Sequence, residues 1–206
     1  MQSPWRRTFP TWVMVLALSL AVLIAKPPVY PDYPVRAVSE YQVNTAQAGL
    51  AIALDPLEDA KEQKTYFKTE FRSKGFVPVF VVLHNQSASE SFLVRKEEIT
   101  YAAARLGLTT PVQGSKAGQG VALAGALAIS TPALIIGLKM IAKSTEVQQN
   151  IFKKELRTVT LSPGAKAHGF LFIPADKGSS TREKIRLRVP VTRIGSEETL
   201  NFDLIF

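Results

Sequence analysis

Two segments near the C-terminal end alternate strictly between apolar and polar residues. Ile185, Leu187, Val189 and Val191 share one parity of the first, and Leu200, Phe202, Leu204 and Phe206 share one parity of the second. A period of two places each apolar set on one side of an extended strand, whereas a helix would scatter the same residues around its axis. This end of the chain must therefore build a sheet with one buried face. Similar signals recur upstream. Leu50, Ile52 and Leu54 alternate; Phe76–Leu83 is apolar at both parities, which predicts a strand covered on both faces. Pro78 inside it points to a position near an edge or a bulge.

His84-Asn85-Gln86-Ser87 reads as a polar turn leading to a strand with Phe92 and Val94. Ile99 and Tyr101 continue that sheet beyond the charged kink Arg95-Lys96-Glu97-Glu98. Further strands are predicted over Leu156–Leu161, which a Ser-Pro-Gly turn follows, and over Gly169–Ile173. Many short strands separated by turns predict a mainly β chain folded as a sandwich. One helix is predicted early, with Asp55 as its N-cap and Pro56 as its first residue. Leu57, Ala60, Lys64, Phe67 and Phe71 then follow at helical spacing, and Gly75 closes the segment.

Composition narrows the chemistry. The 206 residues contain no cysteine, which excludes disulfides, thiolate metal sites, a cysteine nucleophile and a lipidated cysteine. There are two histidines, His84 and His168, and the net charge is +8. Residues 139–206 hold twelve Lys and Arg against seven acids, while 26–138 are nearly balanced. A basic C-terminal half suits an acidic surface such as anionic lipid, a cell-wall polymer or an acidic partner.

The N-terminus reads as a membrane signal. Arg6 and Arg7 form a basic, cytoplasmic region over residues 1–8, and no charge follows from Phe9 to Ala25. Leu23-Ile24-Ala25 is a poor cleavage site, so residues 9–25 are expected to remain as a transmembrane anchor, with a cleaved secretion signal as the alternative. Trp5, Trp12, Tyr30 and Tyr33 flank the run as interfacial aromatics do. Residues 26–36 hold four prolines and predict a stiff, extended spacer between the anchor and a domain spanning 37–206.

Ala117–Leu138 is a second uncharged run, long enough to cross a bilayer. A crossing there would put the strands on its two sides in different compartments, with the basic half inside. The alternative treats 117–150 as an apolar helical insertion covering a sheet or resting on the membrane. Abundant Gly and Ala with Pro132 in the middle favour that insertion.

The chain resembles a family of uncharacterised bacterial exported or membrane-anchored proteins over roughly residues 48–174. The resemblance rests on Gly75-Phe76-Val77-Pro78-Val79-Phe80-Val81-Val82-Leu83-His84-Asn85-Gln86-Ser87, then Phe152-Lys153-Lys154-Glu155-Leu156, Leu161-Ser162-Pro163-Gly164 and Gly169-Phe170-Leu171-Phe172. It implies an immunoglobulin-like β-sandwich without known catalytic residues. Many relatives carry a lipid-attachment cysteine, which this chain replaces with its longer anchor.

No catalytic or metal motif stands out. His84 and His168 lack a Gly-x-Ser-x-Gly elbow, the acid pairs Glu97-Glu98 and Glu197-Glu198 lack calcium-loop spacing, and no cofactor is implied. The strongest surface feature is a basic row. Arg182, Lys184, Arg186 and Arg188 share the solvent parity of one strand, with Arg193 as an extension and Lys153, Lys154 and Arg157 as neighbours. Such a row would dock on anionic lipid or an acidic protein. It lacks the interleaved aromatics of a nucleic-acid surface. The expected function is a non-catalytic, membrane-anchored extracytoplasmic binding or scaffold module. It would contact lipid through its N-terminal helix and dock to protein partners in a membrane or envelope complex. An envelope hydrolase and a two-span membrane subunit are the alternatives.

Overall fold

The computed structural model describes residues 30–103, 127–128, 144–175 and 184–206. The expected anchor at 9–25 and most of the apolar run at 117–138 lie outside them. The fold is mainly β, with two antiparallel sheets and few helices. The first sheet has the order β1-β2-β3-β8, formed by β1 (Val43–Gln47), β2 (Leu50–Pro56), β3 (Phe76–Asn85) and β8 (Lys166–Pro174). The second is built on β9 (Ile185–Ile194). β10 (Thr199–Ile205) runs along one edge of β9, and β4 (Ser91–Val94) and β5 (Thr100–Ala103) lie end to end along the other. The charged kink is a short 3₁₀ turn, Lys96–Glu98, that carries the chain from β4 to β5. β7 (Val159–Leu161) pairs with β4, and the two-residue β6 (Leu127–Ala128) pairs with β5.

The alternation in the last two strands holds. Leu187, Val189, Val191, Leu200, Phe202 and Leu204 are buried and join Leu50, Ile52, Val79, Val81 and Leu171 in one core between the sheets. β3 is buried on both sides because a second core lies on the outer face of the first sheet. There Phe80, Phe170 and Phe172 meet Phe67 and Phe71, with ring centroids about 5 Å apart edge-to-face for Phe67–Phe170. Burying one such ring contributes about 2–3 kcal/mol. The cover is supplied by two helices, α1 (Ala60–Phe67) and α2 (Thr145–Lys154).

Strands from both sides of the 117–138 run pair with one another in both sheets: β3 with β8, and β4 and β5 with β9. The two sides thus fold as one unit, which favours an insertion over two separated halves. Within the run, Leu127 and Ala128 extend the second sheet as a strand and not as a helix. α2 begins inside the expected helical segment 117–150 and goes on to Lys154.

Three local expectations change. Asp55 and Pro56 do not start α1; they finish β2, opposite Phe80 and Val79. Asp59 is the N-cap instead, its Oδ1 accepting from the Lys61 and Glu62 amides. The helix stops at Lys68, which is left-handed, and Phe71 reaches the core from a loop. Buried Gln63 staples this segment by donating to the Leu57 carbonyl and accepting from the Phe71 amide. Pro78 lies in a central strand, not at an edge. Its carbonyl accepts from the Leu57 amide just past the last β2 pair, so its missing N–H faces the end of β2, where the ladder needs no donor.

Gly169 permits the close crossing of the α2–β7 connection. A Cβ there would lie 2.6 Å from the Leu156 amide nitrogen and Cα. That crossing is tied by the Leu156 amide donating to the Phe170 carbonyl at 2.9 Å.

Candidate functional site

Residues 30–36 are extended, as their prolines require, but they do not project from the domain. They lie across the outer face of the first sheet as a strap. Tyr33 packs on Tyr66, Phe80 and Phe170, with ring centroids 4.8–5.3 Å away. Its hydroxyl donates to Asp55 Oδ2 at 3.0 Å. Burial, reinforced by the Asp55 charge, pushes the Tyr33 phenol well above its ordinary range. Arg36 pairs with the same carboxylate at 2.7 Å and lies over the Tyr41 ring. Lys154 holds the other end of the strap, donating to the carbonyls of Pro31 at 2.5 Å and Tyr66 at 2.9 Å. Desolvation lowers the Lys154 ammonium from its usual value. Tyr33, expected as a membrane-interface residue, is therefore part of the domain's own aromatic layer. Tyr30 is half-buried. Trp5, Arg6, Arg7 and Trp12 lie outside the described residues.

The basic row is broken up. Lys184, Arg186 and Arg188 do alternate with Ile185, Leu187 and Val189, and they sit on the outward side of β9. Arg188, however, is bound to Asp203 on β10, with contacts of 3.0 and 3.3 Å. Arg193 has the opposite parity and is held between Glu90 at 3.1 Å and Glu198 at 2.9 Å, so it does not extend the row. Lys153 and Lys154 are on α2, over the outer face of the other sheet, while Arg157 is exposed in the connection to β7, two strands from β9. Arg182 lies outside the described residues. Acids opposite the cations are invisible to a pattern read along one strand.

A different feature is assembled by the topology. Beside the strap, the outer face of β1, β2, β3 and β8 forms a groove of about 280 Å³. Its floor is Ala46, Ala51 and Val82, and residues 36–39 wall one side. His84 and Lys166 stand directly opposite one another on β3 and β8 and both line it. His168 is two positions further along β8 on the same face, exposed, with its ring 5.6 Å from Phe80. The chain's two histidines thus share one face. Ser39 and His84 both line the groove, but the lining contains no carboxylate. Asp55, further along that face, is committed to Tyr33 and Arg36. Among the described residues no cluster of His, Asp or Glu has the makings of a metal site, and no helix is long and apolar enough to cross a membrane.

No known protein-family model matches this sequence, and no curated protein matches it.

Proposed function

We propose that this protein is a non-catalytic binding module of immunoglobulin-like sandwich form, anchored in a membrane by residues 9–25 and docking to protein partners in a membrane or envelope complex. The observation that carries the reading is the strap. Fastening at Pro31, Tyr33 and Arg36 leaves only a few residues between the domain and the end of the expected anchor at Ala25. At about 3.5 Å per extended residue, that tether spans less than about 20 Å. The domain therefore rides close to the bilayer, where a neighbouring membrane protein is its nearest contact.

Two measurements test this reading. The full chain, produced at native level, stays with the membrane through an alkaline wash and co-purifies with partners in mild detergent. Release into the wash, or recovery only as a lone monomer, overturns it. Because the chain has no cysteine, Ser196→Cys in the exposed β9–β10 turn supplies a unique label site. Labelling from outside intact cells is the expected result, and protection there supports the two-span alternative.

A further inference from the structure

We propose that the groove beside the strap binds a small anion, a carboxylate or phosphate group carried on a compact molecule. Lys166 and His84 are cross-strand neighbours, so their side chains leave the sheet side by side on the groove face. Neither has a hydrogen-bond or ion-pair partner among the described residues, and Lys166 is exposed. Arg36 at the wall is balanced by Asp55, so the positive charge the groove offers a ligand is that of Lys166, with no carboxylate in the lining to oppose it. A concave site of one sign concentrates counter-ions. Charge-assisted hydrogen bonds from an ammonium and an imidazole are the strong kind.

The floor sets the rest of the ligand. Ala51 and Val82 are 3% and 2% exposed, so they close the groove from below, and the exposed Ala46 beside them adds a small apolar contact. A volume of about 280 Å³ falls just below the usual range of ligand pockets, about 300 to 1,000 Å³. It suits a short acid or a phosphate ester, not a polymer. Ser39 and Gln86 at the rim add hydroxyl and amide groups for the ligand's polar atoms.

The chain's two histidines make the test direct. Imidazole Hε1 signals of the full protein in zwitterionic micelles are followed while butyrate or inorganic phosphate is added at fixed pH and ionic strength, with chloride as the control. The His84 signal is expected to shift and saturate. Lys166→Glu lowers the affinity about tenfold or more, the loss expected for one charge-assisted contact. Ala46→Trp, at an exposed position, fills the groove and abolishes the shift, while both variants keep the wild-type melting profile. Saturation by glycerol phosphate assigns a soluble ligand; saturation only by phosphatidylglycerol added to the micelles assigns a lipid headgroup. Shifts that match chloride, fail to saturate, or persist unchanged in Lys166→Glu overturn the site. The titration reads the domain alone, so its outcome is independent of whether the N-terminal anchor holds.

Discussion

Tyr33 and Asp55 are joined by a 3.0 Å hydrogen bond that fastens the strap to the end of β2. The bond exists only while the phenol keeps its proton. The folded phenol ionises above the value of about 10 that an unfolded tyrosine shows. Above that pH the unfolded chain releases the proton first, so stability present below pH 10 is lost as pH rises toward the folded value. Urea unfolding at pH 8 and pH 11 is expected to show this loss, and Tyr33→Phe should make it smaller. At pH 8 the same substitution costs about 1 kcal/mol, the worth of one hydrogen bond. An unchanged pH profile in Tyr33→Phe would remove the strap's dependence on this contact.

Gly169→Ala is the most damaging small change expected in the first sheet. The added methyl meets the backbone of Leu156, which cannot rotate aside, at 2.6 Å. Forcing the crossing strands apart should cost about 3 kcal/mol. Thermal unfolding of the variant reads this directly, and a melt within a degree of the parent would contradict the close approach.

Asn85 ties the two sheets together. Fully buried, it donates to the carbonyls of Glu90 at 2.7 Å and Leu161 at 3.1 Å, and accepts from the Ser87 amide at 2.9 Å. Asn85→Ala strands these groups without partners and should lower stability by about 2–3 kcal/mol. Asn85→Asp, which keeps the acceptor and loses the donors, is expected to recover little of the loss. Full recovery in denaturant titration would mean that only the Ser87 contact matters.

The β1–β2 hairpin carries a local strain that can be relieved. Its two-residue turn has Ala48 at φ 51° and Gly49 at φ 81°, both in the left-handed region. Alanine is disfavoured there, and asparagine is well suited. Ala48→Asn should therefore raise stability by about 0.5–1 kcal/mol, seen as a higher urea midpoint at unchanged slope.

Elements whose signal is local and periodic were legible in the sequence. β9 and β10 follow their alternation, β3 its two-sided apolar run, and Ile99 and Tyr101 resume the second sheet after the charged kink. β1 was not legible, because Val43-Asn44-Thr45-Ala46-Gln47 has no apolar period and is a strand only through pairing with β2. The helix start was misplaced because Asp55 and Asp59 are both plausible caps, and pairing with β3 claims the first. The candidate site was the least legible part. Arg188 and Arg193 read as free cations until β10 and the turns bring Asp203, Glu198 and Glu90 against them. The groove depends on a register between β3 and β8 that no local pattern encodes. The proline-rich stretch is extended as its composition requires, but its attachment rests on Asp55 and Lys154, distant in the chain.

Placing β4 and β5 end to end along β9 has a consequence for how the molecule is made. Both wait for a partner that follows them by roughly ninety residues, so this sheet has the high contact order that slows folding. A ribosome or a translocation channel delivering the chain from its N-terminus cannot release a finished second sheet until β9 has emerged. Until then the apolar sides of Phe92, Val94 and Tyr101 stay open to chaperones and to aggregation. Loss of the last two strands would leave the emerging polypeptide without the template on which that layer is assembled.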